Sequence, residues 1–344
     1  MVQGLSYMMI AVAISAYLQS LRNSRSPATA LTYEKALRQF SRFLEAQNFN
    51  PAEQPVDCLS QAQLRAYIES LLEANTAPST QRLYTAAVKG FLKYLKQQEL
   101  APALDVQLLS DFAANRLPKT RQGLPQFPRD ELEAVIQYAE SLGSAAGSME
   151  QQALIDLRDR AFILTLADTG LRVQEACQLR RKQIDWHEGR ALITGKGGKE
   201  AVVRFSRRAL RALRAYLDVR EPVLDLLSGK QLSALPLFTG HGLRNTTQAA
   251  GAGKARHQLK PMTTETGREI IRQRTREALG REVREITPHA FRHYFVTSVL
   301  LGTGNLKLAQ NLARHSDISS TQRYAHLADG ELDQAYEELF NQNE

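Results

Sequence analysis

Residues 115–128 read Asn-Arg-Leu-Pro-Lys-Thr-Arg-Gln-Gly-Leu-Pro-Gln-Phe-Pro, and no other stretch limits the possible folds as strongly. A proline inside a helix lacks the N–H of the ladder and clashes with the preceding turn. Three prolines and Gly123 therefore forbid a continuous helix here. The stretch divides the 344 residues into a segment 1–114, a linker 115–128 and a segment 129–344. Each flanking segment is long enough to bury a core of its own.

The segment 1–114 reads as all-helical. Residues 15–21, 30–47, 60–74 and 79–98 carry apolar side chains at helical spacing. In the second of these, Leu31, Ala36, Leu37, Phe40, Phe43 and Leu44 make a stripe, and Thr29 or Thr32 is placed to cap its start. In the fourth, Leu83, Ala87, Val88, Phe91, Leu92 and Leu95 form the stripe, with Arg82, Lys89, Lys93 and Lys96 on the other faces. Taken alone, that basic face is a solvated surface. Residues 5–18 are apolar but shorter than the ~18 residues of a membrane span. No basic residue precedes them, so they read as a buried helix and no membrane partner is expected.

Beyond the linker, Pro128-Arg129-Asp130-Glu131 opens a helix, and residues 154–167 form a strongly apolar one. Asp168-Thr169-Gly170 supplies a C-cap and turn. Arg172 then opens the next helix with Glu175 one turn on, which alone would be a surface ion pair of little worth. The period changes at 184–186, 191–194 and 201–205, three short strands separated by glycine-containing turns. Gly195-Lys196-Gly197-Gly198-Lys199 is the tip of the second hairpin and lacks the spacing of a nucleotide-binding P-loop. Residues 207–220 read as a basic helix and 228–262 as a long irregular connection with several glycines. A helix over 263–279 carries Arg268, Arg272, Arg274 and Arg276. The expected fold is mainly α with a small antiparallel β-sheet, in two domains.

The chain has 44 Lys and Arg against 36 Asp and Glu, a net charge of +8 that favours an anionic partner. Two cysteines, Cys58 and Cys177, cannot build a disulfide framework and fit a reducing cytoplasm.

The chemistry concentrates in 286–327. Pro288 suits the first position of a helix, where its missing N–H costs nothing. His289 and Arg292, three apart, then share one helical face. His315 and Tyr324 are nine apart and would point to opposite sides of an unbroken helix. Ser316-Asp317 and Ser319-Ser320 offer capping residues for a turn that brings both inward. Two imidazoles, a guanidinium and a phenol converging on one point suit a phosphodiester.

His-x-x-Arg, then His, then Tyr nine residues later resembles the C-terminal signature of the tyrosine recombinases, the phage-integrase family. Thr169-Gly170-Leu171-Arg172-Val173-Gln174-Glu175 and the Gly195–Lys199 tip resemble its two remaining boxes. The resemblance implies strand breakage and rejoining through a 3′-phosphotyrosine. In that scheme Tyr324 attacks the scissile phosphate, while Arg172, held by Glu175, and Arg292 bind its non-bridging oxygens. Lys196, with Lys199 as fallback, protonates the 5′ oxygen; His289 assists proton transfer and His315 hydrogen-bonds the phosphate. Neither metal nor cofactor is implied. The partners implied are double-stranded DNA with specific recombination sites and further copies of the chain, a dimer per site and a tetramer in synapse. Segment 1–114 would be the DNA-gripping core-binding domain of a two-domain clamp, with a basic linker crossing the backbone. The stripe Leu332, Ala335, Tyr336, Leu339 and Phe340 would dock on a neighbouring protomer. A type IB topoisomerase and a non-catalytic basic DNA-binding protein are the alternatives. Arg314 departs from the pattern, because glycine commonly precedes this histidine.

Overall fold

The computed structural model describes residues 8–74, 76–101, 103–118, 128–143, 150–195, 198, 200–228, 234–240 and 261–314, without the side chains of 150, 151 and 221–228. The chain separates into two compact units, Met1–Arg121 and Gln122–Glu344.

The first unit holds five helices: α1 (Ile10–Ser24), α2 (Pro27–Ala46), α3 (Gln61–Glu73), α4 (Pro78–Gln97) and α5 (Val106–Arg116). Leu37, Phe40 and Leu44 of α2 are fully buried beside Leu64 and Tyr67 of α3 and Phe91 and Leu95 of α4. Phe40 meets Tyr67 edge-on at 5.0 Å. Two residues of the expected stripes face outward instead: Leu31 is 54% and Leu83 37% exposed. Both lie in the first two turns of their helices, where the stripe overruns the buried face. The cap of α2 is neither Thr29 nor Thr32. Ser26 accepts from the Thr29 N–H at 3.3 Å, and Pro27 occupies the first position. Thr32 donates instead to the Ala28 carbonyl at 2.8 Å, as a threonine inside a helix does. Helix α5 was absent from the periodicity; its buried set is only Val106, Leu109 and Ala113. Its readable signal was Asp105, whose carboxylate accepts from the N–H groups of Gln107 and Leu108.

The second unit contains α6 (Arg129–Ser141), α7 (Glu150–Thr169), α8 (Val173–Gln178), β1 (Ile184–Asp185), β2 (Arg190–Thr194), β3 (Glu200–Arg204), α9 (Arg207–Ser228), α10 (Thr264–Leu279), α11 (Pro288–Thr303) and α12 (Leu306–Ala313). Helix α7 is central: Ala161, Phe162, Ile163, Leu164 and Leu166 are buried on several of its faces, with α6, α9, α10 and α11 around it. The strands form an antiparallel meander β1-β2-β3 with Ala191 opposite Val203. In the expected irregular connection, Leu237 donates to the Leu179 carbonyl and Met262 to that of Phe238.

Several charges lie inside this unit. Arg274 is 3% exposed and donates to Asp159, Asp156 and Glu277 at 3.0, 2.7 and 2.7 Å. Arg158 holds the other oxygen of Asp159. The arginines of α10 therefore do not form one basic face. Arg268, Arg272 and Arg276 point out and Arg274 points in, because it falls beside Ile270, Ile271 and Thr275 on the buried arc. Arg220, placed in a basic helix, is 0% exposed and donates to the carbonyls of Pro236 and Leu237. Among the described residues no helix is long and apolar enough to cross a membrane.

Candidate active site

Geometry at the end of α7 sets the site. Thr169 donates to the Thr165 carbonyl at 2.6 Å, and its oxygen accepts from the Leu171 N–H at 3.2 Å. Gly170 turns left-handed at φ 59°, and a Cβ there would sit 2.5 Å from the Phe295 ring of α11. The position thus requires glycine for both conformation and space. Arg208 grips Asp168 at the base of the turn with two bonds, at 2.8 and 2.6 Å, and Ser206 bonds the same carboxylate.

This turn delivers Arg172 to the start of α8. The Arg172 N–H donates to Glu175 Oε2 at 2.9 Å and its Nη1 to Oε1 at 3.0 Å. Glu175 so satisfies an orphan helix N–H and pins the guanidinium with one side chain. The Arg172 side chain remains 48% exposed, leaving part of its donor fork open. Glu175 Oε2 also accepts from Arg314 Nη2 at 3.1 Å, so two guanidinia share one carboxylate. Burial pushes the Arg314 guanidinium below its ordinary range, with Arg172 adding to the effect and Glu175 opposing it.

Arg292 lies on α11, capped by Thr287, which accepts from the Ala290 N–H. It is 2% exposed, donating to the Gly170 carbonyl at 2.5 Å and to that of Ala313. One guanidinium therefore joins the turn before Arg172 to the end of α12. His289, one turn earlier, is exposed and stacks edge-on with His293 at 4.3 Å. It opens onto a cleft of about 420 Å³ whose basic lining is Arg268, Arg272 and Arg284, with Glu282 as its acid. Arg284 was not singled out in the sequence, since it sits in a connection without periodicity. Tyr294, two residues after Arg292, packs against the core with Arg129 over its ring at 5.8 Å.

Arg172, Glu175, Arg292 and Arg314 are thus brought together, with His289 on the same helix as Arg292. Lys196, Lys199, His315 and Tyr324 lie outside the described residues, as do Ser316–Ser320 and the stripe from Leu332 to Phe340. Strands β2 and β3 flank the Lys196 loop, as the hairpin reading expects.

Residues 126–331 match the family model described as the phage integrase family, and 14–99 match its N-terminal SAM-like domain. The chain belongs to the phage integrase family. A tyrosine recombinase XerC of Myxococcus xanthus is 30% identical over 94% of each chain. A tyrosine recombinase XerD of Vibrio cholerae is 29% identical over 82% of each. In fold, the chain resembles XerH recombinase in a post-cleavage complex with a palindromic difH substrate, with TM-score 0.65 at 19% identity over 94% of this chain and 83% of that one. It also resembles a lambda integrase dimer bound to a COC′ core site, with TM-score 0.58 at 16% identity over 92% and 95%. This phage-integrase family member is a tyrosine-type site-specific recombinase, an enzyme that breaks and rejoins DNA strands. The topoisomerase and non-catalytic alternatives are not favoured. Among its described residues no three His, Cys, Asp or Glu side chains are grouped to hold a metal ion.

Proposed function

We propose that Arg172, Lys196, His289, Arg292, His315 and Tyr324 form one strand-cleavage site, with Glu175 supporting Arg172. The observation that carries this reading is the bond from Arg292 to the Gly170 carbonyl, which joins two motifs 122 residues apart across the turn that presents Arg172. The Tyr324 phenol attacks the scissile phosphorus, forming the phosphotyrosine ester and breaking the bond to the 5′ oxygen. The phenol proton passes to His289, and Lys196 supplies the proton that the departing 5′ oxygen takes up. Arg172, Arg292 and His315 meet the charge that grows on the non-bridging oxygens. The ester conserves the bond, so the reverse attack by a 5′ hydroxyl rejoins a strand. A phenol, whose ordinary pKa is ~10, needs this cationic surrounding to act at neutral pH.

Segments 1–114 and 129–344 serve as core-binding and catalytic domains joined by 115–128, gripping duplex DNA at specific recombination sites in the cytoplasm. Support comes from the relatives' names, from the net charge of +8, and from the DNA-bound structures the fold resembles. Two protomers occupy each site and four make the synapse, with the segment from Glu331 reaching a neighbour.

The test is a nicked substrate that loses a short fragment on cleavage and so cannot be rejoined. Wild-type protein should become covalently attached. Tyr324→Phe should bind the same DNA and form no adduct, whereas Tyr294→Phe, altered where the ring packs under Arg129, still forms one. Peptide mapping of the wild-type adduct to any other tyrosine would sink the assignment.

A further inference from the structure

Arg314 ends α12 at φ 57°, a left-handed conformation that glycine adopts freely and a residue with a Cβ does not. Its guanidinium does not escape to water, since the side chain is only 11% exposed. Nη2 donates to Glu175 Oε2 at 3.1 Å, while Nε and Nη1 are buried without a hydrogen-bond partner among the described residues. Strain, a buried charge and unmet donors all count against arginine as a stabilising choice, and glycine would remove all three. Local rules broken together at one position, next to a reactive group, point to function.

The neighbour explains what arginine supplies. Glu175 is the carboxylate that holds Arg172. With Arg172 as its only partner, the pair would be neutral, and the pull of Arg172 on an anion would be largely spent on Glu175. Arg314 takes a share of Oε2, so the group of three keeps a net positive charge. It also helps fix the Glu175 rotamer, since Oε2 accepts from both Arg314 Nη2 and the Arg172 N–H.

We infer that Arg314 is a positioning residue for strand cleavage: through Glu175 it sets the orientation of Arg172 and keeps that guanidinium available to the scissile phosphate. This rests on the proposal that the site acts on a DNA phosphodiester through Tyr324.

The experiment compares single-turnover adduct formation on the nicked substrate at saturating DNA. Arg314→Gly relieves the strained backbone, so its thermal midpoint and half-site affinity should equal or exceed those of wild type. Its cleavage rate should fall about 10²-fold, the cost of misplacing a binding group by about an ångström. Arg314→Asn, which also tolerates the left-handed region, should behave alike and serves if the glycine variant folds poorly. Arg314→Lys keeps the charge without the planar fork and should recover part of the rate. The decisive arm replaces one non-bridging oxygen of the scissile phosphate by methyl, which removes its charge. There the gap between wild type and Arg314→Gly should shrink to within a few-fold, because a neutral phosphorus centre asks less of Arg172. An active wild type matched by Arg314→Gly, or a gap that persists undiminished on the methylphosphonate, overturns the inference alone. A wild type that forms no adduct overturns the Tyr324 proposal and this inference with it.

Discussion

The two units of this recombinase build their interiors in different ways. In the first, the buried polar side chains among the described residues are Gln81 and Thr85, and none is charged. In the second, Arg158, Asp159, Arg220, Arg274 and Arg292 are all buried. An apolar interior specifies that helices pack, but many side-chain arrangements of similar volume satisfy it. Guanidinia tied to particular carbonyls and carboxylates tolerate little displacement, since a lost partner leaves a desolvated charge. In the second unit Arg292 ties the turn before Arg172 to the end of α12, and Arg274 and Arg220 tie other segments to one another in the same way.

Four substitutions break or sharpen this contrast. Phe40→Ala removes a fully buried ring of the first unit and should cost it about 3–5 kcal/mol. Trp186, the single tryptophan, lies in the second unit, so its fluorescence midpoint in denaturant should stay put while the helical signal of the first unit is lost earlier. A Trp186 midpoint that moved in step would mean the two interiors are not independent.

Arg274→Met keeps much of the volume but leaves Asp159 Oδ2 without its guanidinium and takes one partner from Asp156, while Arg158 still holds Asp159 Oδ1. Breaking a buried ion pair from one side costs on the order of 3 kcal/mol, read here as an earlier Trp186 transition. Tyr138 and Glu277, bonded to each other at 3.1 Å, belong to the same network. A variant as stable as wild type would show that the charged interior is no more exacting than the apolar one.

The smallest effect belongs to a helix end. Ser26→Ala should cost the first unit about 1 kcal/mol through the lost cap of α2. Thr32→Ala, at a residue bonded only within its own helix, should lie near zero in the same melt. The reverse order would restore the cap expected from the sequence.

Much of the fold was legible because it follows from periodicity and from backbone chemistry. The stripe of α4 from Ala87 to Leu95, the start of α11 at Pro288 and the hairpin of β2 and β3 each depend on residues a few positions apart. Helix α5 was missed because a stripe of three small or medium side chains carries little periodic signal.

Within the site, sequence by itself determined the cast: the residue types, their order along the chain, the break at Gly170 and the pairing of Arg172 with Glu175 three residues on. It could not decide which arginines face inward, because a guanidinium reads as surface until carbonyls and carboxylates from distant segments surround it. Arg274 beside Asp159, Arg292 on the Gly170 and Ala313 carbonyls, and Arg314 on Glu175 are contacts across 115, 122, 21 and 139 residues. Only tertiary packing brings such partners within 3 Å or so, and the low dielectric it creates is what makes each of those bonds matter.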